Sequence, residues 1–173
     1  MNYYFSAIGF NNDPFDNTPG YEIRNNDYVD LIEACCKYSS VLSFVNMHDR
    51  VFLFEKIEPY RIMADDNIFD HSCNYFTPGK RPPYKMFYRV CPETRDFVLQ
   101  NAKSIFDWGG NRPEDPTFYR ADGSVFFCCR THDDECVLFA RENEDVSHIV
   151  SKEGWVLESD LPPFHPKWNM DKK

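Results

Sequence analysis

Residues 108–139 read WGGNRPEDPTFYRADGSVFFCCRTHDDECVLF, and this stretch decides the fold. Asp122-Gly123 lies between two aromatic runs, Phe118-Tyr119-Arg120 and Val125-Phe126-Phe127-Cys128-Cys129. A two-residue Asp-Gly linker is the strongest short-range hairpin signal, because both of its residues reach φ > 0 at little cost. The second run has no polar alternation: Val125, Phe127 and Cys129 project one way, Phe126 and Cys128 the other. A strand apolar on both sides needs both faces covered, so it is expected at the centre of a sheet. Thr131-His132-Asp133-Asp134-Glu135 supplies a polar turn, and Cys136 to Ala140 returns as a third strand of the same character. Together these predict a central three-stranded meander over about 117–140.

Working upstream, Gly109-Gly110 closes a helix, while Pro113 and Pro116 stiffen the approach to the hairpin. Glu114 and Asp115 are read as part of a structured loop, since carboxylates inside a strand would need partners. Pro92 at a first helical position, with Glu93 beside it, opens a helix expected over about 92–107, with Val98, Ala102, Ile105 and Phe106 on one face. Tyr84 to Val90 alternates as a strand.

Nearer the N-terminus, Tyr3 to Phe10 suits a first strand, and Asn11 to Gly20 is almost pure turn chemistry. Asn25, Asn26 and Asp27 offer N-caps, and Tyr28, Leu31, Cys35, Tyr38, Leu42 and Val45 come next on one face. This spacing predicts the main helix over about 27–47. Val51 to Phe54 reads as a buried strand, and Met63 to Pro83 as a long aperiodic loop carrying Asp65, Asp66, Asp70, His71 and Cys73.

Beyond the meander, acidic residues opening Glu142 to Val150 predict a short third helix over about 142–150. Trp155-Val156-Leu157 suits an edge strand, and Leu161 to Trp168 a proline-rich tail. No repeat or linker divides the chain, so residues 1–173 are expected to form a single α+β domain with a largely antiparallel sheet.

At 173 residues, with 17% aromatics, one hydrophobic core suffices without covalent staples. The net charge of −9 argues against a general nucleic-acid or anionic-membrane binder, because neutralising phosphates needs clustered Lys and Arg. It suits a basic protein partner. No apolar run reaches the roughly 20 residues of a membrane span. Seven cysteines, with Cys35-Cys36 and Cys128-Cys129 adjacent inside apolar runs, read as free thiols in a reducing compartment. Met1 to Phe10 has no basic region and no cleavage pattern, so a cytoplasmic location is expected.

The candidate binding residues are Glu114, Asp115, His132, Asp133, Asp134 and Glu135, a loop and a turn rich in carboxylate. Function is expected to be non-catalytic protein binding, with no cofactor. The alternative is a small metal-dependent or Cys/His enzyme using the 65–73 and 131–136 loops, with His71, Cys73, His132 and Cys136 as its ligands or nucleophiles. The spacing of these four matches no zinc pattern, and their acidic neighbours would raise a thiol pKa rather than lower it. Glu142 and Glu144 could add acid and base groups, although a solvated rim is the default for such residues. Trp108, Tyr119, Trp155 and Trp168 serve as core or core edge more often than as a stacking surface. There is no Walker loop, no dinucleotide-binding glycine triplet, no H-E-x-x-H and no G-x-S-x-G.

Pro113-Glu114-Asp115, Phe118-Tyr119, Asp122-Gly123, the aromatic strand and Thr131-His132-Asp133 together resemble a pattern in uncharacterised bacterial α+β proteins. Some of these are similar to the immunity proteins that neutralise polymorphic toxins. The resemblance spans about Pro113 to Asp133, implies a small binder and supplies no catalytic residues.

Overall fold

The computed structural model describes residues 1–7, 21–46, 54–63, 84–110 and 112–161. Among the described residues, eight strands form one antiparallel sheet in the order β3-β4-β2-β5-β6-β7-β1-β8. They are β1 (Asn2–Ser6), β2 (Val41–Asn46), β3 (Arg61–Ile62), β4 (Tyr84–Arg89), β5 (Glu114–Tyr119), β6 (Val125–Arg130), β7 (Glu135–Phe139) and β8 (Trp155–Leu157). Helices α1 (Asn25–Tyr38), α2 (Pro92–Asn101) and α3 (Ser147–Val150) complete the α+β fold.

The meander forms as β5-β6-β7, and its middle strand carries the two-sided burial that its composition demands. Phe127 and Cys129 face the cluster that packs under the helices, with Phe118, Leu138 and Phe44. Val125 and Cys128 belong to a second cluster with Tyr4, Tyr119 and Val137. Each fully buried Phe contributes about 1.5–3 kcal/mol relative to an exposed one, which makes this strand the centre of the fold. The edge position expected for Trp155–Leu157 is also found, since β8 pairs only with β1 among the described strands.

The hairpin turn is longer than a two-residue Asp-Gly linker. Gly123 N donates to Arg120 O (3.0 Å) and Arg120 N to Ser124 O (2.8 Å). Ala121 and Asp122 thus occupy the middle of the turn, and Gly123, not Asp122, takes the positive φ of 83°. Asp122 Oδ1 instead accepts from Ser124 N (3.1 Å) and Ser124 Oγ (2.6 Å).

Three helical expectations need correction. The helix expected over 27–47 ends at Tyr38, and Val41–Asn46 is the fully buried strand β2, between β4 and β5. Its start uses none of the expected asparagine or aspartate caps: Arg24 O accepts from Asp27 N and Tyr28 N, and Asn25 N donates to Lys103 O. The helix expected over 92–107 stops at Asn101; Ser104 then caps a separate 3-10 turn at Ile105–Asp107, where Asp107 Oδ2 accepts from Lys103 N (2.7 Å) and Ser104 N (2.9 Å). Of the helix expected over 142–150, only Ser147–Val150 forms.

Of the strand expected over Val51 to Phe54 only Phe54 is described, and it opens a 3-10 turn; the first strand ends at Ser6. The expectations for 11–20, 64–83 and 162–173 lie outside the described residues.

Under α1 and α2 the core closes on Trp108. Its ring centroid lies 4.8 Å from that of Phe44, and its Nε1 donates to Tyr28 Oη (3.2 Å), which donates in turn to Val98 O (3.3 Å). Trp108 and Tyr119 are fully buried, and Trp155 packs its ring 5.4 Å from Phe5. All three are accounted for by packing.

Candidate functional site

The candidate site lies where the β6–β7 turn meets the start of β5. Between β2 and β5 the register runs Ser43 to Thr117, then Val45 to Glu114, so β5 carries one extra residue there. This bulge explains how Pro116, which has no N–H for a ladder, sits inside a central strand. It also places Asp115 in the left-handed region, with φ 52°. Glu114 and Asp115 are therefore not an exposed loop: both are buried in β5, each with a partner on the β6–β7 turn.

Asp115 and Thr131 bond reciprocally. Thr131 N (2.8 Å) and Thr131 Oγ1 (3.1 Å) donate to Asp115 Oδ1, while Asp115 N donates to Thr131 Oγ1 (3.0 Å). Burial pushes the Asp115 carboxyl above its ordinary range; the Thr131 bonds oppose this and the neighbouring Glu114 charge adds to it. Glu114 Oε2 and His132 Nε2 share a hydrogen bond of 2.7 Å. Gly109, at φ 123°, passes close by: a Cβ there would lie 3.6 Å from Thr131 Cγ2 and 3.8 Å from Glu114 Cγ.

The turn itself is a 3-10 turn at Thr131–Asp133 followed by Asp134 in the left-handed region, φ 53° and ψ 35°. Asp134 O accepts from Ala7 N (2.8 Å), tying the turn to the end of β1. Glu135 pairs with Arg130 across the ladder, and Arg130 Nη1 reaches Asp133 Oδ2 at 3.9 Å. Asp133, Asp134 and Glu135 are half-buried, and His132 is the exposed member. All six binding candidates thus come together at one end of the sheet, with two of them beneath the surface as its support.

Chemically, the arrangement presents the carboxylates of Asp133, Asp134 and Glu135 and one imidazole at the surface. Thr131, the hydroxyl of the turn, is engaged by Asp115. Cys136 does not join His132: it is fully buried on β7 opposite Cys129, and burial pushes its thiol far above the ordinary range. A nucleophile or ligand role for Cys136 is thereby removed, because an inaccessible protonated thiol can do neither. Among the described residues no three His, Cys, Asp or Glu side chains converge to hold a metal ion. His71 and Cys73 lie outside the described residues. Likewise, among the described residues no helix is long and apolar enough to cross a membrane.

Glu144 is not a solvated rim residue. Its side chain and that of Arg120 are 6% and 7% exposed, and Arg120 Nε and Nη2 donate to Glu144 Oε1 and Oε2, each at 2.7 Å. Arg120 also donates to Val125 O and Phe139 O, and its guanidinium lies 5.3 Å from the Phe126 ring centroid. Burial raises the Glu144 carboxyl, but the Arg120 bonds and charge and the Arg141 N–H outweigh it, leaving the group below its ordinary range. The pair clamps the β5–β6 hairpin to β7. Only the aromatic flanks of Arg120 hinted at it, because its partner lies 24 residues away.

No family model, curated protein or solved structure significantly matches the chain.

Proposed function

We propose that this chain is a non-catalytic protein-binding domain whose β6–β7 tip engages a basic partner, in the manner of an immunity-type inhibitor. The observation that carries the reading is the reciprocal Asp115–Thr131 bonding beneath the tip, which holds Asp133, Asp134 and Glu135 in one backbone geometry. A carboxylate display fixed before encounter loses less conformational entropy on binding than a floppy one. With a net charge of −9, the chain would also steer a cationic protein toward this end of the sheet.

His132 contributes an exposed, oriented imidazole at the centre of the tip, where partner backbone or side-chain groups can bond to it. The likeness of Pro113 to Asp133 to a pattern in uncharacterised bacterial proteins, some of them similar to immunity proteins, points the same way, and a cytoplasmic setting suits six described cysteines that are all free. The test compares the wild-type chain with an Asp133→Asn/Asp134→Asn/Glu135→Gln variant in affinity for a captured basic partner. Asparagine tolerates the left-handed backbone at 134, so the variant keeps the turn while removing three charges.

A further inference from the structure

Away from the tip, α1 and α2 border a groove of about 310 Å³ lined by Glu33, Cys36, Lys37, Val90, Cys91 and Arg95. The two helices meet in antiparallel register. Tyr28 Oη donates to Val98 O at 3.3 Å, and one step further along α1 Arg95 Nη1 reaches Glu33 Oε1 at 3.4 Å. Cys36, further along α1, and Cys91, at the start of α2, line this same groove.

These two are the half-buried thiols among the described residues; Cys35, Cys128, Cys129 and Cys136 are fully buried. Cys91 is the N-cap of α2: its sulfur accepts the Thr94 N–H, and its own N–H donates to Thr94 Oγ1 at 2.9 Å. The Cys36 thiol is pushed up to about 12, by burial first and by the Glu33 charge second, against the opposing Arg95 charge. Burial thus keeps Cys36 a neutral thiol.

We propose that Cys36 and Cys91 form a reversible disulfide driven by hydrogen peroxide, fastening the end of α1 to the start of α2. Cys91 sulfur attacks one peroxide oxygen, the O–O bond breaks, and the thiol proton leaves with the departing oxygen as water. Cys91 is then a sulfenic acid. Cys36 sulfur attacks it, the S–S bond forms as the S–O bond breaks, and the Cys36 proton leaves with the hydroxide as a second water. Two thiols are oxidised and one peroxide is reduced to two waters; a dithiol reductant reverses the step by exchange.

The test treats the reduced full-length chain with hydrogen peroxide and maps its peptides without reduction. The expected product has lost the mass of two hydrogens, joins the Cys36 and Cys91 peptides, and reverts with dithiothreitol. Cys36→Ser should stop at a Cys91 sulfenic acid that dimedone labels, and Cys91→Ser should give no bridge. Cys36→Ala serves if the serine variant fails to fold. A bridge through Cys73, or wild-type Cys91 overoxidised to the sulfinic acid while Cys36 stays free, would overturn the proposal.

Discussion

Glu114 and His132 form a hydrogen-bonded pair that crosses the protein surface: at 2.7 Å apart, the carboxylate side chain is 4% exposed and the imidazole 67% exposed. The exposed ring therefore satisfies a buried polar group, which ties the surface of the tip to its interior. Removing the ring while keeping the carboxylate should be costly, since an orphaned buried acceptor loses about 1–3 kcal/mol. His132→Ala is expected to lower the denaturant midpoint by that free energy divided by the slope, with the slope itself unchanged. Glu114→Leu combined with His132→Ala should recover much of the loss, and a neutral His132→Ala would show that the bond contributes nothing.

Arg120 and Glu144 are predicted to be the more severe pair to break. Glu144→Gln leaves a guanidinium buried without its counter-charge, which typically costs about 3–5 kcal/mol. The pH dependence rests on the lowered Glu144 pKa. A carboxyl whose folded pKa lies below its unfolded value adds stability above the unfolded value, near 4.3, and loses it as pH falls through the folded one. Thermal unfolding from pH 7 downward should therefore show a drop for the wild type below about pH 4.3 that Glu144→Gln lacks for this group. A parallel pair of curves would contradict the clamp.

Gly154→Ala should destabilise through contacts with Phe5 and Tyr21. A Cβ there would meet Phe5 Cε2 at 2.5 Å, and the backbone sits at φ 91°. Phe5 is buried in the core and cannot swing aside, so a loss of about 1–3 kcal/mol is expected from strain and displacement together. The melting temperature reads it out, and an unchanged value would mean that β8 can shift away from β1.

The meander was readable from Val125 to Cys129 because a strand apolar on both faces has few places to go. The same property concealed β2. Leu42 and Val45 continue the helical spacing of Tyr28, Leu31, Cys35 and Tyr38, and a short, fully buried strand has no period of its own. Only Ser39-Ser40 marks the break. At the tip, the acidic turn was legible as composition, whereas the burial of Glu114 and Asp115 was not. It depends on a bulge whose only local sign is Pro116 inside the strand, and on partners 16 and 18 residues away.

The most direct measurement is the affinity of a captured basic partner for the wild-type chain and for Asp133→Asn/Asp134→Asn/Glu135→Gln, at two salt concentrations and with matched circular dichroism. A tip that binds through fixed carboxylates should lose at least about tenfold in affinity, or 1.4 kcal/mol, and most of its salt dependence in the variant. Full affinity with unchanged salt dependence in a folded variant would contradict the assignment of this end of the sheet as the binding surface.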